Sequence, residues 1–139
     1  MNILNIKELI KEAFKAKEYA YVPYSNFHVG AAVLMEDGSV YSGCNIENAS
    51  YGPTNCAERT AIFKAVSEGK KNIKAIAIVG DSGLTYPCGV CRQVIREFGM
   101  DAKIIIAKSE NDYLEYTLDE LLPHSFGPDD LKKNNSRSG

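Results

Sequence analysis

The sequence predicts an α/β layered domain built around a mixed five-stranded sheet. Strand-like and helix-like periods alternate along the chain, the strand-like ones number five, and a hairpin signal joins the first two. A hairpin imposes antiparallel pairing, whereas a strand–helix–strand unit favours a parallel pair, so one sheet should contain both directions.

The elements run in order from the N-terminus. From Ile6 to Ala20, Ile6, Leu9, Ile10, Ala13 and Phe14 recur at the i, i+3, i+4 spacing that gathers apolar groups on one helical face. Asn5 is positioned to cap the first turn, with Glu8 three residues on and Leu4 available to staple against Leu9. The charged residues of this helix form its wet face. Val22-Pro23-Tyr24-Ser25-Asn26 breaks the period and reads as a loop, and Phe27 and His28 lead into a strand from Val29 to Leu34. Asp37-Gly38 is the hairpin turn and Val40 to Cys44 the returning strand. After a loop from Asn45 to Asn55, a helix runs from Cys56 to Val66 and stops at Gly69. Ile73 to Val79 is the third strand, followed by the turn residues Gly80-Asp81-Ser82-Gly83. Pro87 opens a helix from Cys88 to Phe98, which Gly99 ends. Lys103 to Ala107 and Tyr113 to Thr117 are the last strands, and Leu118 to Leu122 forms a short helix before Pro123. Residues 1–131 are expected to make one domain, with 132–139 a disordered polar tail.

Composition narrows the class of function. The chain has 139 residues, 45% hydrophobic and 24% charged, with a formal net charge of −2. That balance gives no reason to expect nucleic acid or an anionic membrane as partner. No apolar run approaches the roughly 20 residues that span a bilayer. The opening segment interrupts its apolar residues with Lys and Glu, so it lacks a signal-peptide core. A cytoplasmic location is the expectation. In a reducing compartment, the four cysteines read as metal ligands or catalytic thiols rather than disulfides.

The chemistry concentrates where two helices begin. Cys88-Gly89-Val90-Cys91 is a C-x-x-C pair at one helix start, and Cys56 opens the other, with 31 residues between it and Cys88. Unpaired N–H groups and the helix dipole stabilise thiolates at such positions, and thiolates suit zinc. Three protein ligands leave the fourth tetrahedral position open to water, as in a catalytic zinc site. Glu58 lies two residues after Cys56 and so does not share its face. First-turn side chains lean toward the helix N-terminus, however, and a long Glu can reach a water held there. Zinc brings the pKa of such a water from 15.7 to about 7, where a carboxylate can take its proton. Three thiolates and a hydroxide on Zn²⁺ would total −2, and Arg59 is placed to offset part of that charge.

Cys56-Ala57-Glu58 followed by Pro87-Cys88-Gly89-Val90-Cys91 resembles the signature of the zinc-dependent nucleoside deaminases. More narrowly, the chain resembles cytidine deaminases of the short, homotetrameric type, from about Ile6 to Leu131. The similarity takes in Val22 to Phe27, Gly43 to Ala49, Cys56 to Ala61, Pro87 to Gln93 and Leu121 to Phe126. Val90 stands where an alanine is expected, a bulkier residue that removes no ligand. The resemblance implies a three-layer α/β/α domain around the mixed five-stranded sheet and one Zn²⁺ per subunit on Cys56, Cys88 and Cys91. It implies Glu58 as the proton carrier that is not a ligand. It further implies that Asn45 and Glu47 bind the ribose 3′-hydroxyl, that Phe27 lies against the pyrimidine, and that the Ala57 N–H bonds the base O2. Phe126 and Tyr51 would be supplied across subunit boundaries of a homotetramer. The implied reaction is hydrolytic deamination of cytidine and deoxycytidine, a step of pyrimidine salvage. A deaminase of a cytosine-bearing antibiotic nucleoside is the nearest alternative.

Without the resemblance, each residue has a plainer reading. Phe27 and Phe126 would be core residues, and Tyr51 a half-buried aromatic. Asn45 and Glu47 would be solvated loop residues, and Glu58 with Arg59 an exposed charge pair. Cys44 sits in an apolar strand pattern and reads as a buried small hydrophobe, its rival role being fourth ligand of a closed structural zinc site. His28 and His124 lie in no ligand spacing. Two other classes remain open on residues alone: a thiol–disulfide oxidoreductase using the C-x-x-C, and a non-catalytic zinc-stabilised binding module.

Overall fold

The computed structural model describes residues 3–131, with side chains from Asn5 onward. The side chain of Leu4, and with it the expected staple, lies outside the described side chains, and the polar tail of 132–139 lies outside the described residues. The elements run α1 (Ile3–Lys17), β1 (Val29–Met35), β2 (Val40–Cys44), α2 (Ala57–Ser67), β3 (Ile73–Gly80), α3 (Gly89–Phe98), β4 (Lys103–Ser109), β5 (Asp112–Thr117) and α4 (Leu118–Leu121). The sheet order is β2-β1-β3-β4-β5. β3 and β4 are parallel, joined through α3, and every other neighbouring pair is antiparallel. The mixed five-stranded sheet predicted from the hairpin signal and the alternation is therefore what forms.

Strand alternation sorts the core into two layers of unequal bulk. Ile76, Ile78, Ile104, Ile106, Val33 and Met35 pack toward α2, α3 and α4, together with Ile62, Ile95 and Leu118. The opposite face presents mostly small residues, Ala32, Ala75, Ala77 and Ala107, to Ile6, Leu9, Ile10 and Ala13 of α1. Small residues let α1 approach the sheet closely. The closest approach is at Gly30, where an added Cβ would lie 2.0 Å from the Ala13 carbonyl oxygen. Helices cover both faces, giving the three-layer α/β/α arrangement.

One helix start differs from expectation. α1 begins at Ile3, so Asn5 lies inside its first turn instead of capping it. Ile3, Ile6, Ile10 and Ala13 extend the apolar period upstream of the Asn5–Glu8 signal, and the helix follows that period. The stop of α2 is as expected: Gly69 has φ +85. Its N–H reaches the Val66 carbonyl at 3.0 Å while the Lys70 N–H reaches that of Ala65 at 3.0 Å, the Schellman pattern. α2 and α3 lie against the same face of the sheet, and that shared face brings their N-terminal ends together.

Candidate metal centre and active site

Cys56 is the N-cap of α2 and Cys88 the N-cap of α3, both in extended backbone, while Cys91 is the third residue of α3 and fully buried. The three Sγ atoms lie within 4.8 Å of one another, the only such ligand cluster among the described residues. Those of Cys56 and Cys88 are 3.8 Å apart, and zinc bonded to two thiolates at about 2.3 Å in a tetrahedron separates them by about 3.8 Å. That pair already stands at the spacing of two ligands on one metal ion. Cys44 stands outside this cluster, half-buried, and burial pushes its thiol above the ordinary range.

Electrostatics favour a cation at the same point. A hydrogen bond from Cys91 is the largest influence on Cys56, and with the Arg59 guanidinium it holds that thiol down at about 5, against the cost of burial. Arg59 Nη2 reaches Cys56 Sγ at 3.3 Å. Cys91 is pushed far above the ordinary thiol range by its bond to Cys56, by burial and by the charges of Glu58 and Cys56. One thiolate is thus comfortable in the cluster, and a second is not unless positive charge is placed among the sulfurs. A divalent metal supplies that charge. The donor set, three cysteines and no carboxylate, is the soft type that zinc prefers.

Glu58 is the second residue of α2 and only 4% exposed, one of two buried charged residues among those described. Burial, helped by the Cys56 charge, raises its carboxyl to about 7, partly offset by its own backbone N–H and the Cys91 thiol. A carboxyl near neutrality can both take and return a proton at physiological pH. The Ala57 N–H stands at the first helical position, where an α-helix offers no internal acceptor.

The residues expected to hold a sugar and a base lie on loops pinned to this end of the sheet. Ile46 and Asn55 exchange two backbone hydrogen bonds of 2.9 Å, closing the loop that carries Glu47 and Tyr51 onto the residue before Cys56. Asn45 Oδ1 accepts from the Val29 N–H and its Nδ2 donates to the Phe27 carbonyl, both at 2.9 Å. Glu47 Oε1 accepts from the backbone N–H groups of Tyr24 and Ser25, and its Oε2 accepts from the Ser25 hydroxyl. The Ser25 hydroxyl bond chiefly holds the Glu47 carboxyl below its usual range. Both side chains therefore fix the 24–29 loop, and each keeps hydrogen-bonding capacity to spare. Tyr24, Ser25, Glu47, Asn48, Tyr51 and Thr54 line an open cavity of about 370 Å³.

Phe27 is 36% exposed, and the tip of its ring stands beside Gly80 at the end of β3. Tyr51 and Phe126 are more exposed still, 74% and 59%, so neither is a core aromatic in the single chain. Tyr51 meets Tyr24 edge-on at 6.1 Å. The structure thus gathers Cys56, Glu58, Arg59, Cys88 and Cys91 in one place and Phe27, Asn45 and Glu47 on a connected loop network. Phe126 lies apart on the C-terminal segment, held by α3.

Sequence reasoning missed two supports of this network. Ser25 binds Glu47 twice, and only its place in the loop marks it out. Asp81 accepts from the His28 backbone N–H at 2.6 Å and meets His28 Nδ1 at 2.7 Å and Lys17 Nζ at 3.2 Å, anchoring the residue next to Phe27. These contacts hold Asp81 down at about 2.

Comparison with known proteins agrees with this geometry. Residues 4–108 match the family described as cytidine and deoxycytidylate deaminase zinc-binding region. The chain is 57% identical over 125 residues to a cytidine deaminase of Halalkalibacterium halodurans, covering 88% of this chain and 95% of that protein. It is 52% identical over 130 residues to one from Sporosarcina psychrophila, covering 92% and 96%. Among solved structures, cytidine deaminase from Burkholderia pseudomallei superposes with a TM-score of 0.81 at 47% identity, covering 86% of this chain and 97% of that one. That from Mycobacterium tuberculosis gives 0.77 at 42% identity, covering 86% and 95%.

Proposed function

The chain belongs to the family of zinc-binding cytidine and deoxycytidylate deaminases, and from that premise we propose that it hydrolytically deaminates cytidine and deoxycytidine to uridine and deoxyuridine, releasing ammonia. The observation that carries this reading is the meeting of three cysteine sulfurs at two helix starts beside a buried carboxyl raised to about 7.

Cys56, Cys88 and Cys91 would hold one zinc per subunit. Zinc bound there supplies Lewis acidity, which makes water a nucleophile at neutral pH. Arg59, donating to the Cys56 sulfur, relieves part of the negative charge that three thiolates accumulate. Glu58 accepts a proton from the attacking water and delivers it to N3 of the pyrimidine as C4 is attacked. Glu58 then moves the second proton from the new hydroxyl to the departing amino group, so that one water is consumed and ammonia leaves. The Ala57 N–H donates to O2 of the base, and the Phe27 ring covers one face of the pyrimidine. Asn45 and Glu47, already bonded on one side to the 24–29 loop, turn their remaining capacity to the ribose hydroxyls. Tyr51 and Phe126 complete the sites of neighbouring subunits in a homotetramer. Their exposure in the single chain supports that assignment. No helix among the described residues is long and apolar enough to cross a membrane. The nucleoside reaction proposed here belongs to pyrimidine salvage, and its proposed location is the cytoplasm.

The test is to incubate the purified protein with cytidine, deoxycytidine, cytosine and dCMP and to measure ammonia release with and without a chelator. The two nucleosides should release ammonia, and metal removal should abolish it. Release unaffected by a strong chelator, or absent with both nucleosides, contradicts the proposal.

A further inference from the structure

A charged side chain outside the sulfur cluster is buried without any part in the proton chemistry. Arg96, on α3, is 7% exposed. Taking a guanidinium out of water is costly unless its donors are matched, so such a residue in a helix otherwise packed through Ile95 needs a reason. Its donors go to a single stretch of chain. Nε donates to Ser125 Oγ at 2.8 Å, and Nη2 donates to Asp129 Oδ1 at 2.7 Å. Between those two points the guanidinium lies flat against Gly127, where an added Cβ would fall 2.4 Å from Cζ and 2.6 Å from both Nη atoms. Any side chain there would displace the guanidinium from this position. One turn back along α3, Gln93 Nε2 donates to the Phe126 carbonyl at 2.8 Å, and Arg92 Nη1 donates to that of Leu121 at 2.7 Å. The held segment includes His124 at φ +55, a left-handed conformation uncommon for a non-glycine residue.

This grip surrounds a side chain that is itself poorly buried. Phe126 remains 59% exposed although its own carbonyl and its neighbours on both sides are fixed. A segment held only for stability would turn its largest apolar group inward, since burying a phenylalanine ring is strongly favourable. Here the backbone is fixed and the ring is left facing out. α3 also carries Cys88 as its N-cap and Cys91 in its first turn. The same ten-residue helix, about 15 Å long, therefore positions two of the three sulfurs and grips the segment that carries Phe126.

We infer that Arg96 and Gln93 are positioning residues that hold Phe126 at a fixed angle to the sulfur-bearing end of α3, so that the ring meets the nucleoside bound by an adjoining subunit. The inference rests on the role of Phe126 in the proposed function. Arg96 acts through the side chains of Ser125 and Asp129, which flank Phe126 and Gly127, and touches no substrate. Gly127 is the position that lets it lie flat.

The experiment is a mutant cycle on the zinc-loaded protein with cytidine, using Arg96→Lys, Gln93→Met, Phe126→Ala and the pairwise combinations with Phe126→Ala. Gln93 is exposed, so its replacement leaves folding intact even where loss of the buried Arg96 does not. Each positioning variant should raise KM roughly three- to tenfold with zinc content retained and kcat changed less than about twofold. Neither should add to the effect of Phe126→Ala. Effects that multiply with Phe126→Ala, or an unchanged KM in both variants, overturn the inference. Amide hydrogen exchange over residues 125–130 separates this from the functional reading. Exchange in Gln93→Met should accelerate at least about tenfold even if the parent proves inactive on cytidine, and unchanged exchange there refutes the positioning role.

Discussion

Glu58→Gln tests the site through catalysis and stability at once. The substitution keeps the shape of a side chain that is 4% exposed and removes its charge. Glu58 is proposed to move two protons, and a single positioned acid or base contributes about 10²–10⁴ in rate. Turnover should fall at least about 10³-fold, roughly 4 kcal/mol of barrier, with zinc retained because Glu58 is not a ligand. Stability should move the other way. The folded carboxyl sits at about 7 against an ordinary 4.5, raised mainly by burial, so the folded state binds the proton more tightly than the unfolded one. Its contribution is therefore favourable at low pH and is lost as pH rises from about 4.5 through 7. A shift of that size corresponds to about 3 kcal/mol above pH 7 and under about 1 kcal/mol at pH 5. Glutamine does not titrate, so the metal-free variant should outlast the metal-free parent by on the order of 10 °C at pH 8 and by much less at pH 5. The assay is thermal unfolding of both proteins, chelated and kept reduced, at the two pH values. A variant no more stable at pH 8, or equally favoured at both, would refute the view that burial strains this carboxyl.

The same geometry sets other outcomes. Zinc binding at pH 7 should release at least one proton, because Cys91 is held protonated without a cation. Affinity should then rise about tenfold per pH unit for each proton shed, and calorimetry in buffers of different ionisation enthalpy that finds no release would contradict this. Cys44→Ser should leave zinc content and turnover unchanged, since Cys44 stands outside the sulfur cluster; loss of zinc would make it a ligand. Gly30→Ala should destabilise by about 1–3 kcal/mol or more in urea unfolding, its Cβ meeting the Ala13 carbonyl, while Gly52→Ala, with only Ser50 O at 3.6 Å, should be near neutral. Equal effects at the two glycines would contradict a close approach of α1.

The elements are legible where one local period dominates. The isoleucine-rich, buried runs of β3 and β4, the Asp37-Gly38 hairpin and the Gly69 stop each carry their signal within a few residues. The start of α1 is not, because two local signals compete there. Asn5 with Glu8 imitates a capping box, and the apolar period running back to Ile3 prevails. The sulfur cluster is legible because cysteines at two helix starts are scarce and chemically distinctive. The burial of Glu58 is hidden, because a Glu-Arg pair in a first turn looks like solvated charge until the sheet is placed against it. Contacts between distant segments leave no local trace. Asp81 meets His28 across 53 residues, and Arg96 meets Ser125 across 29. Neither emerges from a period, since a lone Asp in a Gly-Ser turn and a lone Arg on a helix ordinarily face water.

Deamination by this site requires three cysteine sulfurs sharing one metal whose remaining position is open to a water beside Glu58. X-ray absorption at the zinc edge of the purified protein measures that arrangement directly. Three sulfurs at about 2.3 Å and one light atom at about 2.0 Å are predicted. Four sulfurs, or a shell of nitrogen and oxygen alone, would contradict it.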